Sequence, residues 1–318
     1  MIERYPIVSI VITTWDNKEI LENCLDSVKN YTNYPRYEVI VVDNNSNDGT
    51  REMVEEKYPE VEFFSSDEKI SVQKAINIGI KKSKGVFLLH LDDDIEAIHE
   101  DWLNNMVEIA LKKENVGLVG CKLLYPNGEL QHGAGKVTIM GPKHYQNDKY
   151  LKEYPLDQSD YEYVTGACIL IPKKVIEDIG YFDEGFKPHG FDDTDYCMRL
   201  HKKGYKVIYT PNSKMIHYEG VSGDQKKYTL FEFYKFKKNQ IRFGLLNFRI
   251  KDLLKFILLE FYWLGRCFFE KKNKNSSLSI LNLKIRERDK IKRLKFYSRA
   301  VFENMSDLIE IAKKRIKR

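Results

Sequence analysis

The chain has no uninterrupted apolar run long enough to cross a bilayer. Its most hydrophobic stretch, Phe256 to Phe269, is broken by Glu260 and Arg266 and falls short of the roughly 18 to 20 residues that a spanning helix needs. No basic segment followed by an apolar one stands at the start, where Met1 leads through Ile2-Glu3-Arg4-Tyr5-Pro6 straight into a strand-like run, so no secretory leader is expected. The five cysteines, Cys24, Cys121, Cys168, Cys197 and Cys267, are odd in number and lack C-x-x-C or any other zinc-ligand spacing, which fits a reduced, cytoplasmic setting. Neither G-x-G-x-x-G nor G-x-x-x-x-G-K-[ST] occurs, and Gly133-Ala134-Gly135-Lys136 lacks the required spacing, which disfavours a dehydrogenase. With 18 Gly, 9 Pro and a charged fraction of 31%, collagen-like, low-complexity and wholly disordered classes are excluded.

What is present is 318 residues with 42% hydrophobic content, enough for one large α/β domain, alone or with an appended module. The net charge of +5 hides an asymmetry: residues 225–318 carry 26 Lys/Arg against 9 Asp/Glu, a surplus of 17 positive charges, while residues 1–224 carry a deficit of 12. Two modules are therefore expected, 1–224 and 225–318. The basic one suits an anionic surface, membrane lipid or nucleic acid, and the acidic one a site that handles cations.

Short runs rich in Val and Ile predict buried strands at Ile7–Thr13, Tyr37–Asp43, Val61–Phe64, Val86–Leu91 and Val116–Cys121, with another at Tyr163–Ile171. Between the first two, Ile20, Leu21, Cys24, Leu25 and Val28 share one helical face behind an Asp16 or Asn17 cap. This alternation predicts an open, largely parallel sheet with helices on both faces, whose ligands gather at the carboxyl ends of strands. Tyr125–Asp160 reads as a loop-rich insertion, and beyond Asp224 the helical spacing of Ile291, Leu294, Val301, Met305, Leu308 and Ala312 predicts a helical tail.

Four polar clusters punctuate this frame. Asp43-Asn44-Asn45-Ser46-Asn47-Asp48-Gly49 ends the second strand and is either a plain turn or a turn whose Asp43 accepts from a nucleobase or ribose. Asp92-Asp93-Asp94 ends the fourth; three adjacent carboxylates either cap the next helix from solvent or attract a hard divalent cation such as Mg²⁺ or Mn²⁺. Asp192-Asp193-Thr194-Asp195 opens a helix, where a carboxylate serves as a cap or as a general base. His217 is structural or a ligand.

Taken together and in this order, the clusters resemble the GT-A glycosyltransferases of family 2, inverting nucleotide-sugar transferases. The likeness runs from about Pro6 to Ser222, roughly two thirds of the chain. Ser9-Ile10-Val11-Ile12-Thr13-Thr14-Trp15 resembles the family's opening strand, with Trp15 where an aromatic flanks the base. Val42-Asp43-Asn44-Asn45-Ser46 resembles its base-binding turn, and Asn77-Ile78-Gly79-Ile80 its Asn-x-Gly segment. Asp92-Asp93-Asp94 corresponds to the D-x-D motif. Thr165-Gly166-Ala167-Cys168 and Gly180-Tyr181-Phe182-Asp183-Glu184-Gly185-Phe186 resemble the strand beside the acceptor and the loop after it.

The resemblance implies a GT-A fold with Thr13, Trp15, Asp43, Asn45, Asn77, Asp92 and Asp93 on the nucleotide sugar, and Asp92, Asp94 and His217 on a divalent metal, Mn²⁺ or Mg²⁺. It makes Asp193 the base, with Asp192 standing where relatives carry Glu, and places His217 24 residues after Asp193 in a His-x-x-Gly-x-Ser context. The expected reaction moves a sugar from a UDP-, dTDP- or GDP-linked donor to a hydroxyl of a glycan or lipid-linked acceptor, as in cell-surface polysaccharide assembly. One displacement inverts the anomeric centre without an enzyme nucleophile, in keeping with the lack of a persuasive Ser-His or Cys-His arrangement.

The apolar run from Leu253 to Phe269, set among Lys and Arg, is expected to lie at an anionic membrane on its cytoplasmic face, or to pack on the catalytic domain or a second protomer. The rival classes are a nucleotidyltransferase acting on sugar phosphates and a nucleic-acid-binding protein working through the basic tail, although no recognised nucleic-acid module is visible there.

Overall fold

The computed structural model describes residues 5–144, 157–218, 229–269, 279–280, 283–284 and 290–318. The chain divides into two compact units, one of residues 1–136, 143–185 and 192–219, the other of residues 137–142, 186–191 and 220–318. The expected module boundary at 224/225 falls in 219–228, outside the described residues.

The first unit opens with β1 (Val8–Thr14), α1 (Lys18–Tyr31), β2 (Tyr37–Asp43), α2 (Thr50–Lys57), β3 (Glu62–Ser65), α3 (Val72–Lys82) and β4 (Phe87–Asp92). The strands differ from the expected ranges only at their ends. β1, β2, β3 and β4 are parallel, in spatial order β3-β2-β1-β4, with Thr14 level with Asp43 and Thr13 with Asp92. Val8, Ile10 and Ile12 of β1 join the core formed with Leu21, Cys24, Leu25 and Val28 of α1 and Met53 and Val54 of α2. The alternate residue Val11 faces α3, because a strand's side chains alternate between faces. A Cβ on Gly79 would lie 2.2 Å from Val11 Cγ1, so only glycine lets that helix approach so closely. Both faces of the sheet are thereby covered.

The rest of the sheet is mixed. β5 (Ile95–Ala97), α4 (Trp102–Lys112), β6 (Val116–Leu124), β7 (Leu130–His132), β8 (Gly135–Thr138) and β9 (Gly141–His144) lead to β10 (Cys168–Pro172), α5 (Lys173–Ile179), α6 (Asp192–Lys202) and β11 (Lys206–His217). β10 runs antiparallel between β4 and β6, β11 is parallel to β6, and β5 is antiparallel to β11 at the edge. The GT-A layout therefore holds with a parallel half and a mixed half. The segment expected as a strand from Tyr163 begins its ladder only at Cys168; Tyr163 makes an isolated bridge with Gly135 instead, and Thr165-Gly166 turn toward the site. Three short strands, β7 to β9, lie inside the expected insertion, of which residues 145–156 are outside the described residues.

The second unit contains α7 (Leu230–Asn247), α8 (Ile250–Phe269), α9 (Lys290–Ser306) and α10 (Leu308–Lys317). Thr229 caps α7 by accepting from Glu232 N at 3.2 Å. Phe243, Phe248 and Phe256 pack edge to face in its core. The buried Lys237 ammonium is fully engaged, donating to both oxygens of Glu260 and to Gln240, so its burial is compensated. The predicted helical tail is present, with a break at Asp307 between α9 and α10. On α8, Leu254, Leu258 and Phe261 are exposed. No described helix is long and apolar enough to cross a membrane.

Candidate active site

Carboxyl ends of β1, β2 and β4 lie side by side, where open α/β sheets collect ligands. The turns after β1 and β2 are laced together: Asp16 N donates to Ser46 Oγ, Asn47 N to Asp16 Oδ1, and Lys18 N to Asp48 Oδ2, each at 2.8 Å. Asp16 and Asn45 adopt positive φ within these turns, a conformation that Asn and Asp tolerate. Asp43 is buried and accepts from Ser65 Oγ at 2.7 Å and from Ser46 N. Asn44 exchanges two hydrogen bonds with Ile70 and so pins the loop that carries Lys69. Lys69 Nζ lies 2.7 Å from the ring centroid of Trp15, which is 45% exposed. Thr13 is half-buried between Val42 and Asp92.

Asn77 lies within α3. Its buried amide accepts from Phe182 N and donates to Phe182 O and Glu184 Oε1, so it is engaged in holding the 182–184 loop. The resemblance gives Asn77 a contact with the nucleotide, and its Oδ1, which accepts one bond here, has a second lone pair.

The carboxylates of Asp92-Asp93-Asp94 point to different tasks. Asp93 is buried; its Oδ2 accepts from Thr14 Oγ1 at 2.6 Å and Asn17 Nδ2 at 3.3 Å, and burial pushes its carboxyl up to about 6. Asp92 and Asp94 converge with His217, one ligand atom from each lying within 4.8 Å of the others. Residues so distant in sequence meet because β5 turns back after Asp94 and pairs with the end of β11, His217 opposite Ile95, while Tyr218 N donates to Asp94 O at 2.9 Å. His217 Nε2 is 3.2 Å from Asp94 Oδ1, and its Nδ1 is 2.7 Å from Gln131 Oε1. The Asp92 carboxyl is pushed well above its usual range by burial and then by Asp94, Asp93, Asp192 and Asp193. Such crowding of negative charge, with two carboxylates and an imidazole as donors, fits Mn²⁺ or Mg²⁺.

At the start of α6, Asp193 Oδ1 accepts from Thr194 N at 2.6 Å and Thr194 Oγ1 at 3.1 Å, and its Oδ2 from Gly166 N at 3.0 Å and Tyr163 OH at 3.2 Å. A Cβ on Gly166 would lie 3.2 Å from Asp193 Cβ, so glycine permits this approach. His90 joins the two clusters: Nδ1 lies 2.9 Å from Gly166 O and Nε2 3.7 Å from Asp92 Oδ1. Asp192 is half-buried. Asp195 is fully buried against Arg199 Nε at 3.1 Å, and that guanidinium donates to Ile179 O and Tyr181 O, which anchors the loop toward Phe182 from the other side.

Gln131, His132, Tyr163, His90 and Arg199 escaped the sequence reading. Arg199 alone carried a local signal, its spacing four residues after Asp195 on one helical face. Among the described cysteines, Cys24 is pushed well above the ordinary thiol range by burial and Cys197 up to about 12, which leaves neither as a ready thiolate nucleophile.

Comparison with known proteins bears on the family and the fold. O-antigen biosynthesis protein RfbC of Myxococcus xanthus is 31% identical over 233 residues, 69% of this chain but 18% of that protein, so the chain spans under a fifth of this relative. The N-acetylglucosaminyl-diphospho-decaprenol L-rhamnosyltransferase of Mycobacterium tuberculosis is 22% identical over 68% of this chain and 77% of its own length. Among solved structures, the mannosyltransferase PcManGT of Pyrobaculum calidifontis, in complex with GDP-Man and Mn²⁺, aligns over 95% of this chain and 75% of its own with a TM-score of 0.57 at 17% identity, a likeness of fold. The family model described as glycosyl transferase family 2 matches residues 9–180, more than half of the sequence, and the chain belongs to that family.

Proposed function

We propose that this protein is a metal-dependent, inverting glycosyltransferase that moves a sugar from a nucleoside-diphosphate donor to a hydroxyl of a glycan or lipid-linked acceptor in glycan assembly. The observation that carries the reading is the convergence of Asp92, Asp94 and His217 next to a hydrogen-bonded carboxylate, Asp193, at the carboxyl edge of the sheet. Asp43 accepts from the nucleoside, Trp15 stacks on the base, and Thr13, Asn45 and Asp93 line the same turns, while Asn77 keeps the 182–184 loop in place. Asp92, Asp94 and His217 hold a divalent cation, which when bound neutralises charge on the diphosphate leaving group. Asp193, oriented by Gly166 N and Tyr163 OH, takes the proton of the acceptor hydroxyl as its oxygen attacks the anomeric carbon from the face opposite the diphosphate. The C–O bond to the diphosphate breaks as the new glycosidic bond forms, so the anomeric configuration inverts.

Residues 225–318 form a basic module that places the enzyme on the cytoplasmic face of an anionic membrane. The exposed Leu254, Leu258 and Phe261, with Lys251 and Lys255 on the same helix, support this placement. Calorimetry of UDP, dTDP and GDP with and without Mn²⁺ tests the site. One of these should bind more tightly with Mn²⁺, and this gain should vanish in Asp94→Ala and in His217→Ala; an undiminished gain in both variants would refute the metal assignment.

A further inference from the structure

Two adjacent residues of β7 reach the two halves of the site. Gln131 and His132 are both buried, and successive side chains of a strand point to opposite sides. Gln131 Oε1 stands 2.7 Å from His217 Nδ1. An amide oxygen only accepts, so His217 Nδ1 turns its N–H to Gln131, and Nε2, 3.2 Å from Asp94 Oδ1, is the nitrogen left to face a bound cation. That is the form a metal-ligating imidazole needs.

His132 is fixed from its other nitrogen. Its Nε2 accepts the Thr165 N–H at 3.0 Å, a donor that cannot reverse. The His132 proton therefore lies on Nδ1 and is donated to His144 Nδ1 at 2.7 Å. Burial, then the neighbouring imidazoles of His144 and His217, hold His132 well below the usual histidine range, so the ring is neutral. The residue after Thr165 is Gly166, whose N–H donates to Asp193 Oδ2 at 3.0 Å.

We propose that Gln131 and His132 are positioning residues, Gln131 fixing the His217 tautomer that binds the cation and His132 fixing the Thr165-Gly166 turn that aims Asp193. This rests on His217 being a metal ligand and Asp193 the base, and goes beyond those roles by assigning each its support.

The experiment uses the full chain and two readouts: Mn²⁺ affinity without nucleotide, by electron paramagnetic resonance, and the transfer rate at saturating donor. Gln131→Leu should lose about ten- to a hundredfold in Mn²⁺ affinity, with Gln131→Glu, which keeps an acceptor, largely restoring it. His132→Leu should keep its Mn²⁺ affinity and lose at least about tenfold in transfer rate, with His132→Gln, whose amide oxygen replaces Nε2 as acceptor, recovering it. If both readouts fall together in both variants, the strand is merely structural and the proposal fails. Nitrogen-15 spectra of the wild-type rings with diamagnetic Mg²⁺ bound test it even where a variant does not fold: His217 and His132 should both carry their proton on Nδ1, and an Nε2-protonated ring at either position overturns its half. Asp94→Asn and Asp193→Asn separate this from the underlying reading, since unchanged Mn²⁺ affinity in the first or unchanged transfer in the second would sink the ligand or base assignment itself.

Discussion

Asp193→Asn is more than the removal of a proton acceptor, because each oxygen of the native carboxylate already faces a backbone N–H. Turned one way, the new amide NH₂ meets Gly166 N and Tyr163 OH; turned the other, it meets Thr194 N and Oγ1. The tyrosine and threonine hydroxyls can rotate to accept, but a backbone N–H cannot. At least one hydrogen bond to a charged acceptor is lost and its donor left unpaired, which costs about 2 to 3 kcal/mol. For 318 residues, whose unfolding entropy is about 0.67 kcal/mol/K, that corresponds to a fall in Tm of roughly 3 to 5 °C. The rate of sugar transfer should drop by about 10² to 10⁴, the usual contribution of a positioned base, while nucleoside-diphosphate affinity stays near wild type, since the β1 and β2 turns make no described bond to Asp193. Thermal melts, calorimetry and transfer assays on the same preparation read all three quantities. Transfer within tenfold of wild type in Asp193→Asn, together with a dead Asp192→Asn, would show that the neighbouring carboxylate is the base.

Three further outcomes are expected. His90 is buried with its imidazole pushed down to about 4 from the usual 6.5; its neutral form is favoured in the fold, so stability is intact above about pH 6.5 and is lost as pH falls toward 4, by about 3 kcal/mol in all. Asp93, raised to about 6, acts with the opposite sign, its protonation favouring the fold as pH falls from 6 toward 4. The check is therefore the difference in unfolding free energy between wild type and His90→Asn across pH 4 to 7, and a pH-independent difference would refute it. Gly79→Ala forces a methyl against Val11, so denaturant unfolding should show a loss of about 1 to 3 kcal/mol or more; a neutral effect would mean α3 can shift off β1 freely. In vesicle sedimentation the full chain should pellet with anionic vesicles, progressively less as salt rises, and hardly at all with neutral ones; indifference to lipid charge would exclude the membrane placement.

Local chemistry was readable from sequence where periodicity and strand ends carry it. β2 spans Tyr37–Asp43 as its Val-Ile pattern predicts, and Leu21, Cys24, Leu25 and Val28 are the buried face of α1. The three-residue β5 was not readable, since Ile95-Glu96-Ala97 is too short for a pattern and exists only by pairing with β11. Pro211 would ordinarily end a strand, yet β11 continues through it because its pairing with β6 shifts register between Thr210 and Lys214. The metal cluster depended on the family likeness for His217, because the contact that makes it a candidate ligand is a strand pairing across more than a hundred residues. Gln131 and His132 carried no signal for the same reason: both work through non-local partners, and within Leu130-Gln131-His132-Gly133 they look like loop residues. Asn77 carries a task its motif did not announce, since its amide holds the 182–184 loop through partners more than a hundred residues away.

The most direct test of the central claim is the identity of the product released from a nucleotide sugar. Incubation with UDP-, dTDP- and GDP-sugars and Mn²⁺ or Mg²⁺, followed by separation of nucleotides and proton spectra of the sugar product, reads both the bond broken and the stereochemistry. One donor should yield a free nucleoside diphosphate and a glycoside of inverted anomeric configuration, with the rate lost on chelation and in Asp94→Ala. Retention of configuration, release of pyrophosphate in a nucleotidyl transfer, or turnover indifferent to metal would contradict it.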